Sequence, residues 1–278
     1  VNVTPDSFSD GGRFLDAGAA IAHAQELLAH GADILDLGGE STRPGAEPVS
    51  ARAELARVRP VLEGLAEAGV PARAQLSIDT CKASVARVAL DAGATLVNDV
   101  TALRGDPEMV SVVAERDAEC CLMHMLGQPR TMQREARYDD VVDDVKAFLE
   151  ERLGFAVREG VREERILLDP GIGFGKTAAH NLEILRRLRE LVALGRPLVI
   201  GTSRKSFLGR IIGDDAGEGE PVEVPRRLPG TIATNVLALE RGASVFRVHD
   251  VAAVRGALAV AAATLGWRWT PRGTTQTS

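Results

Sequence analysis

The sequence predicts a single (β/α)₈ barrel, and three observations predict it. Short apolar runs alternate with helix-period segments from one end of the chain to the other. The runs are apolar on both faces, as in a parallel sheet covered by helices. Almost every run ends in polar residues, and in a barrel all strand ends converge on one mouth. A doubly wound open sheet would gather its ligand groups at one or two switch-point loops instead. The 278 residues suit one such barrel, which typically takes about 250.

Taken in order, Val1–Val3 reads as the end of a first strand. Val1 is not a methionine and the chain opens inside the run, so this strand is expected to be truncated, with residues upstream. A polar loop, Thr4–Arg13, comes next. Ala17–His30 sets Ile21, Ala24, Leu27 and Leu28 on one helical face. Ile34–Leu37 is the next strand, and Gly38–Ser50 is a loop rich in Gly, Pro, Ser and Thr. In the helix Arg52–Ala68, Leu55, Val58, Leu62 and Leu65 share a side, and Pro60 predicts a kink or a break. Strand Gln75–Ile78, helix Lys82–Ala92, strand Leu96–Asn98, helix Pro107–Arg116 and strand Cys120–His124 continue the alternation.

Met125–Tyr138 is a long polar loop, expected to be mobile and near the ligand. Helix Val141–Glu159, strand Ile166–Leu168, one helix carrying Leu182, Leu185, Leu188 and Val192, and strand Leu198–Ile200 come next. Gly213–Pro229 is acidic and rich in Gly and Pro, and reads as a flexible surface insertion. Helix Thr231–Arg241, strand Val245–Val248 and helix Val251–Leu265 close the pattern. The domain is expected to span residues 1–269, leaving 270–278 as a polar, disordered tail.

With 45% hydrophobic and 26% charged residues, the chain can bury a large core. A net charge of −6 without a basic run argues against nucleic acid and anionic membranes. No apolar stretch is long enough to span a bilayer, and no signal peptide is seen. Three cysteines, with Cys120 and Cys121 adjacent, allow neither a disulfide framework nor zinc spacing, so a reducing cytoplasm is the simplest compartment. Cys81 reads as a small buried filler, and Asp36 as structural.

The stretch Ile166–Thr177, ILLDPGIGFGKT, is the most informative. Its Gly-Lys-Thr ending suggests a phosphate loop, but Pro170 stands where that motif needs a glycine and has no N–H to offer a phosphate. What remains is a strand delivering Asp169 to its C-terminal end, followed by a glycine loop that lets a ligand come close. The whole mouth collects Asn2, Asp6, Thr42, Arg43, Asp79, Asn98, His124, Asp169, Lys205, Arg247 and His249. The carboxylates can accept from a ligand with several N–H donors, such as an aminopyrimidinone ring. Arg43, Arg247 and His249 suit a phosphate or diphosphate. Any one of these would pass for a surface ion pair or a helix cap; their convergence on one rim does not.

These residues also resemble a known family. Asn2–Gly12, NVTPDSFSDGG, and Gly38–Gly45, GGESTRPG, are similar to the two signatures of the dihydropteroate synthases. Ser77–Thr80, Asn98-Asp99, Leu122–Met125, Leu168–Lys176, Ser203–Ser206 and Arg247–Val251 match later motifs in the family's order. The resemblance implies a TIM barrel, usually a homodimer, that joins 6-hydroxymethyl-7,8-dihydropterin diphosphate to 4-aminobenzoate in folate synthesis. It implies release of diphosphate and a place among the targets of sulfonamides. Asp79, Asn98, Asp169 and Lys205 are implied to hold the pterin. Asn2 is implied as a Mg²⁺ ligand through the diphosphate, with Arg43, Arg247, His249 and Thr42 around it. Pro44, Phe174, Lys205 and Ser206 are implied to line the aminobenzoate site. A pterin-dependent methyltransferase would keep the carboxylates but has no use for the cationic cluster.

Overall fold

The computed structural model describes residues 1–4, 17–42, 45–127 and 136–267. Among them seven strands are formed: β1 (Ile34–Gly38), β2 (Gln75–Asp79), β3 (Leu96–Asp99), β4 (Glu119–Met123), β5 (Ile166–Asp169), β6 (Val199–Ile200) and β7 (Val245–Phe246). Ten α-helices accompany them in the described residues: α1 (Ala17–Ala29), α2 (Ala51–Glu67), α3 (Ala83–Asp91), α4 (Met109–Glu115), α5 (Val141–Arg158), α6 (Ala178–Arg186), α7 (Leu188–Val192), α8 (Ser206–Asp215), α9 (Leu228–Glu240) and α10 (Val251–Thr264).

Strands β1 to β5 form one parallel sheet in chain order, and β6 pairs with β7, also parallel. A bridge between Leu168 and Leu198 joins the two pieces. The expected first strand contributes a bridge between Asn2 and Gly38, held by Val3 N–H to Gly38 O at 2.8 Å and Gly38 N–H to Val1 O at 3.1 Å. Between β7 and Val1–Val3 no ladder forms among the described residues. There the side chain of Arg247 crosses from the end of β7 to Asp36 in β1.

The two-residue period of a strand divides the side chains cleanly. Leu35, Leu37, Leu76, Ile78, Val97, Leu122, Ile166 and Leu168 face the helices and form the large outer core. Leu96, Cys121, Leu167 and Val199, with Ile34 and Val245 against them, fill the inside of the barrel. The same parity turns Asp36, Ser77, Asp79, Asn98, Asp169 and Arg247 inward, above that apolar plug.

Several expectations are corrected. Of the kink or break expected at Pro60, the break does not occur, and α2 runs continuously through it. Pro60 and Ala56, whose carbonyl loses its partner, both lie on the exposed face, where water can satisfy the carbonyl. The single helix expected after β5 is two, α6 and α7, divided at Arg187, whose guanidinium binds Asp140, Asp143 and Glu190. Gly213–Pro229 is no loose insertion. α8, unrecognised in the sequence, enters it, and Val222 is buried with its N–H on Gly209 O at 2.9 Å. Arg227 then donates to Val222 O, so the excursion is tied at both ends. Cys81 is half-buried rather than buried. The expected loop Met125–Tyr138 and the expected tail lie largely outside the described residues.

Candidate active site

Register explains how the acids meet. Gly38, Asp79 and Asn98 are successive cross-strand partners on β1, β2 and β3, with Asn2 bridged to Gly38 on the other side. Cys121 and Leu167 continue the row, and Asp169 sits two residues beyond Leu167, on the same face. A Cβ at Gly38 would stand 3.4 Å from Asp79 Cβ and 3.7 Å from Asn2 Oδ1, so a larger residue there would crowd the pocket.

Arg247 organises the acids. Its Nε donates to Asp36 Oδ2 at 2.7 Å and its Nη2 to Asp79 Oδ2 at 2.5 Å. Asp36 also accepts from Ser77 Oγ at 2.6 Å and from Asn98 Nδ2 at 3.3 Å. One cation thus serves a half-buried and a buried carboxylate, and they divide it unequally. Burial pushes Asp36 up, but the Arg247 guanidinium and the Ser77 hydroxyl outweigh it and hold its carboxyl below the usual range. Asp79 lacks that compensation: burial dominates over Arg247, the Asp36 charge adds to it, and its pKa rises to about 7.

Asp169 is buried, and its Oδ1 accepts from Gly171 N–H at 2.7 Å. Burial raises its pKa, partly offset by that bond and by Arg247 and Lys205. Gly171 has φ +67°, and a Cβ there would fall 1.9 Å from His124 O, so the tight turn after Asp169 requires glycine. Phe174 packs with Val100, Met123 and Met125 in an apolar wall beside the acids. Lys205 Nζ stands 4.3 Å from the centre of the Phe174 ring. Burial first, and Arg247 next, lower its pKa to about 8.

His249 stands exposed at the rim. Ser203 Oγ accepts from His249 N–H at 3.2 Å and lies 2.8 Å from His249 Nδ1. The hydroxyl that accepts from the backbone has its own proton to give, so Nδ1 accepts and Nε2 carries the hydrogen. Partial desolvation of the ring, then Arg204 and Arg247, hold the imidazole down to about 4. It is therefore a neutral donor at neutral pH, not a cation.

The expected residues Asn2, Thr42, Asp79, Asn98, Asp169, Phe174, Lys205, Ser206, Arg247 and His249 are among those described, and all but Asp79 line the large cavity at the mouth. Asp79 reaches it through Arg247. Arg43, Pro44 and Asp6 lie outside the described residues. His124 is misplaced by the sequence reading. Its parity is that of Leu122, so it leaves the mouth, stacks edge-on with Phe148 and meets Lys176 Nζ at 2.8 Å. Lys176 also donates to His124 O and Phe174 O, pinning the glycine loop to the end of β4, which replaces the phosphate-binding role its motif suggested. Asp36, read as structural from the sequence, lines the same cavity and accepts from Arg247, Ser77 and Asn98. Its two-residue offset from Gly38 was the available signal. Ser203 was also missed.

The Asp79 carboxyl makes a testable contribution to stability. A folded-state pKa raised above its ordinary value means stability present below about pH 4 and lost as pH rises through about 7. Asp79→Asn removes the titration. Its melting temperature is expected to exceed the parent's by a margin that grows from pH 4 to 7 and is flat above. A margin independent of pH would show that Asp79 is ionised throughout.

Known proteins resemble this chain along most of its length. The family described as pterin binding enzyme matches residues 1–249. A dihydropteroate synthase from Synechocystis sp. is 46% identical over 255 residues, 91% of this chain and 84% of that protein. The Xanthomonas albilineans dihydropteroate synthase with 4-aminobenzoic acid superposes with a TM-score of 0.86 at 45% identity, covering 95% of this chain and 91% of that one. The structure of the X. albilineans enzyme with 7,8-dihydropteroate gives a TM-score of 0.82 at 42% identity, with the same coverage.

Proposed function

The chain belongs to the pterin binding enzyme family, and from that premise we propose that it is a dihydropteroate synthase, condensing 6-hydroxymethyl-7,8-dihydropterin diphosphate with 4-aminobenzoate. The observation that carries this reading is the inward polar layer of Asp79, Asn98 and Asp169 beside the Phe174–Lys205 slot. Carboxylate and amide oxygens there match the N–H edge of an aminopyrimidinone, and the apolar wall of Val100, Met123 and Phe174 suits a flat ring.

Breaking the C–O bond places negative charge on the departing diphosphate and positive character on the pterin methylene. Arg247 keeps Nη1 without a hydrogen bond among the described residues while Asp36 and Asp79 hold its other nitrogens. With Nε2–H of His249, and with Arg43, it can meet the leaving group by fixed electrostatics. The carboxylates that hold the ring tolerate the methylene charge. Ser206 opens α8, where free N–H groups and the helix dipole favour the aminobenzoate carboxylate. Pro44, Phe174 and Lys205 complete that slot in the proposal, with Thr42 beside the diphosphate.

The same reading includes Mg²⁺. No group of three or more His, Cys, Asp or Glu suited to a metal occurs among the described residues. Asn2 nevertheless fits: its exposed amide lies by Gly38, and Mg²⁺ needs only one or two protein oxygens besides phosphate and water. Bound, the ion would neutralise leaving-group charge. We extend the proposal to a homodimer, supported by exposed Leu237, Val260 and Leu265 on and beside α9 and α10. It also includes a cytoplasmic setting, supported by three unpaired cysteines. No described helix is long and apolar enough to cross a membrane.

Release of diphosphate on mixing both substrates with the protein and Mg²⁺ tests the function. Its absence, with pterin still bound, would leave a pterin-binding protein of another activity. The order of binding is a second expected result. Phe174, Lys205 and Ser206 form one side of the slot, while Pro44 adjoins in sequence Arg43, whose charge the diphosphate would satisfy. 4-Aminobenzoate is expected to bind at least tenfold more tightly to protein holding pterin, diphosphate and Mg²⁺ than to protein alone. Equal affinities in the two calorimetric titrations would mean a preformed slot.

A further inference from the structure

Arg204 holds a backbone conformation that residues with side chains avoid, at φ +58°. Its neighbours on both sides belong to the site: Ser203 binds His249, and Lys205 covers Phe174. Such a conformation persists only where the surroundings over-determine it, and here they do. The Arg204 N–H donates to Thr231 Oγ1 at 3.1 Å, and its carbonyl accepts from Arg227 Nη1 at 3.1 Å. Its guanidinium forks onto Asp250, Nε to Oδ2 at 2.9 Å and Nη2 to Oδ1 at 2.5 Å.

The fork joins two loops that carry opposite halves of the reaction. The loop after β6 brings Lys205 and Ser206, on the side of the incoming amine. The loop after β7 brings Arg247 and His249, on the side of the departing diphosphate, and Asp250 is the residue directly after His249. The excursion between α8 and α9 supplies Arg227, whose Nε is held by Val222 O and packs over Gly209.

We propose that Arg204 and Asp250 are positioning residues that fix the spacing between the aminobenzoate slot and the diphosphate cluster, with Arg227 and Thr231 holding the strained turn in place. Neither side chain need touch substrate. The inference rests on the synthase reading, and a parent protein that released no diphosphate would fail that reading and not this one.

The test uses Asp250→Asn, which removes the charge, and Arg204→Gly, which accepts the positive φ but removes the fork. Arg204→Lys, which keeps the charge without a planar fork, is the conservative variant. In both of the first two, kcat/KM for 4-aminobenzoate is expected to fall at least 30-fold, with KM raised. The Kd of the pterin product analogue pterin-6-carboxylate, which reports on Asp79, Asn98 and Asp169, should stay within threefold. Arg204→Lys should fall between these and the parent. Asp250→Glu, which lengthens the pair by one methylene, gives the same split on a smaller scale if Asp250→Asn does not fold. Unchanged kcat and KM in the folded variants would overturn the proposal. So would pterin affinity lost in parallel with turnover, which would assign the pair to general support of the barrel.

Discussion

Replacing Arg247 with alanine is expected to lower the turnover of the condensation by about 10²–10³-fold, the range for loss of one preorganised donor at a developing anion. Charge on the diphosphate grows toward the transition state, so the loss should fall mainly on kcat and less on pterin binding. Steady-state diphosphate release measures it. The structure adds a complication, because Arg247 also bridges Asp36 and Asp79. Removing it strands two acids, and the melting temperature should fall. Asp36→Asn in the same chain relieves that repulsion and should restore part of the melting temperature without restoring turnover. A variant with parental kcat and only weaker substrate binding would limit Arg247 to the ground state.

Asp169→Asn is expected to weaken the binding of pterin diphosphate by at least tenfold. The reason is specific to how Asp169 is held. One of its oxygens is already committed to Gly171 N–H at 2.7 Å. An asparagine must keep its lone oxygen there and present its NH₂ to the pocket, where a ring bearing N–H donors would meet another donor. Loss of a charged hydrogen bond alone costs about 1.5–3 kcal/mol, and the mismatch adds to it. Calorimetric titration measures the affinity, and an unchanged melting temperature shows the turn intact. Equal affinity would remove Asp169 from the pterin site.

Much of this site was legible because each strand announces itself twice, by its apolar run and by the polar residues that close it. Asp79, Asn98 and Asp169 end such runs, and a barrel leaves strand ends only one place to go. His124 ends a run as well, yet it turns away from the mouth. Leu122, two residues earlier, faces the helices, and the two-residue period carries His124 with it. Asp36 errs in the opposite direction. It lies inside an apolar run, where a lone acid reads as scaffold, but it shares the inward face of Gly38.

By itself, the sequence determined the alternation of strands and helices, the order in which polar strand ends arrive, and the family whose motifs they match. Those are local properties, set by periodicity, by turn residues and by short motifs. Only the tertiary structure decided which charges meet. The pairing of Arg247 with Asp36 and Asp79 spans 211 and 168 residues of chain. The Arg204–Asp250 fork and the tautomer of His249 likewise depend on two loops brought together by β6 and β7. Electrostatics and hydrogen bonding act through space, so the protonation of Asp79 and the neutrality of His249 are set by neighbours that no stretch of sequence contains.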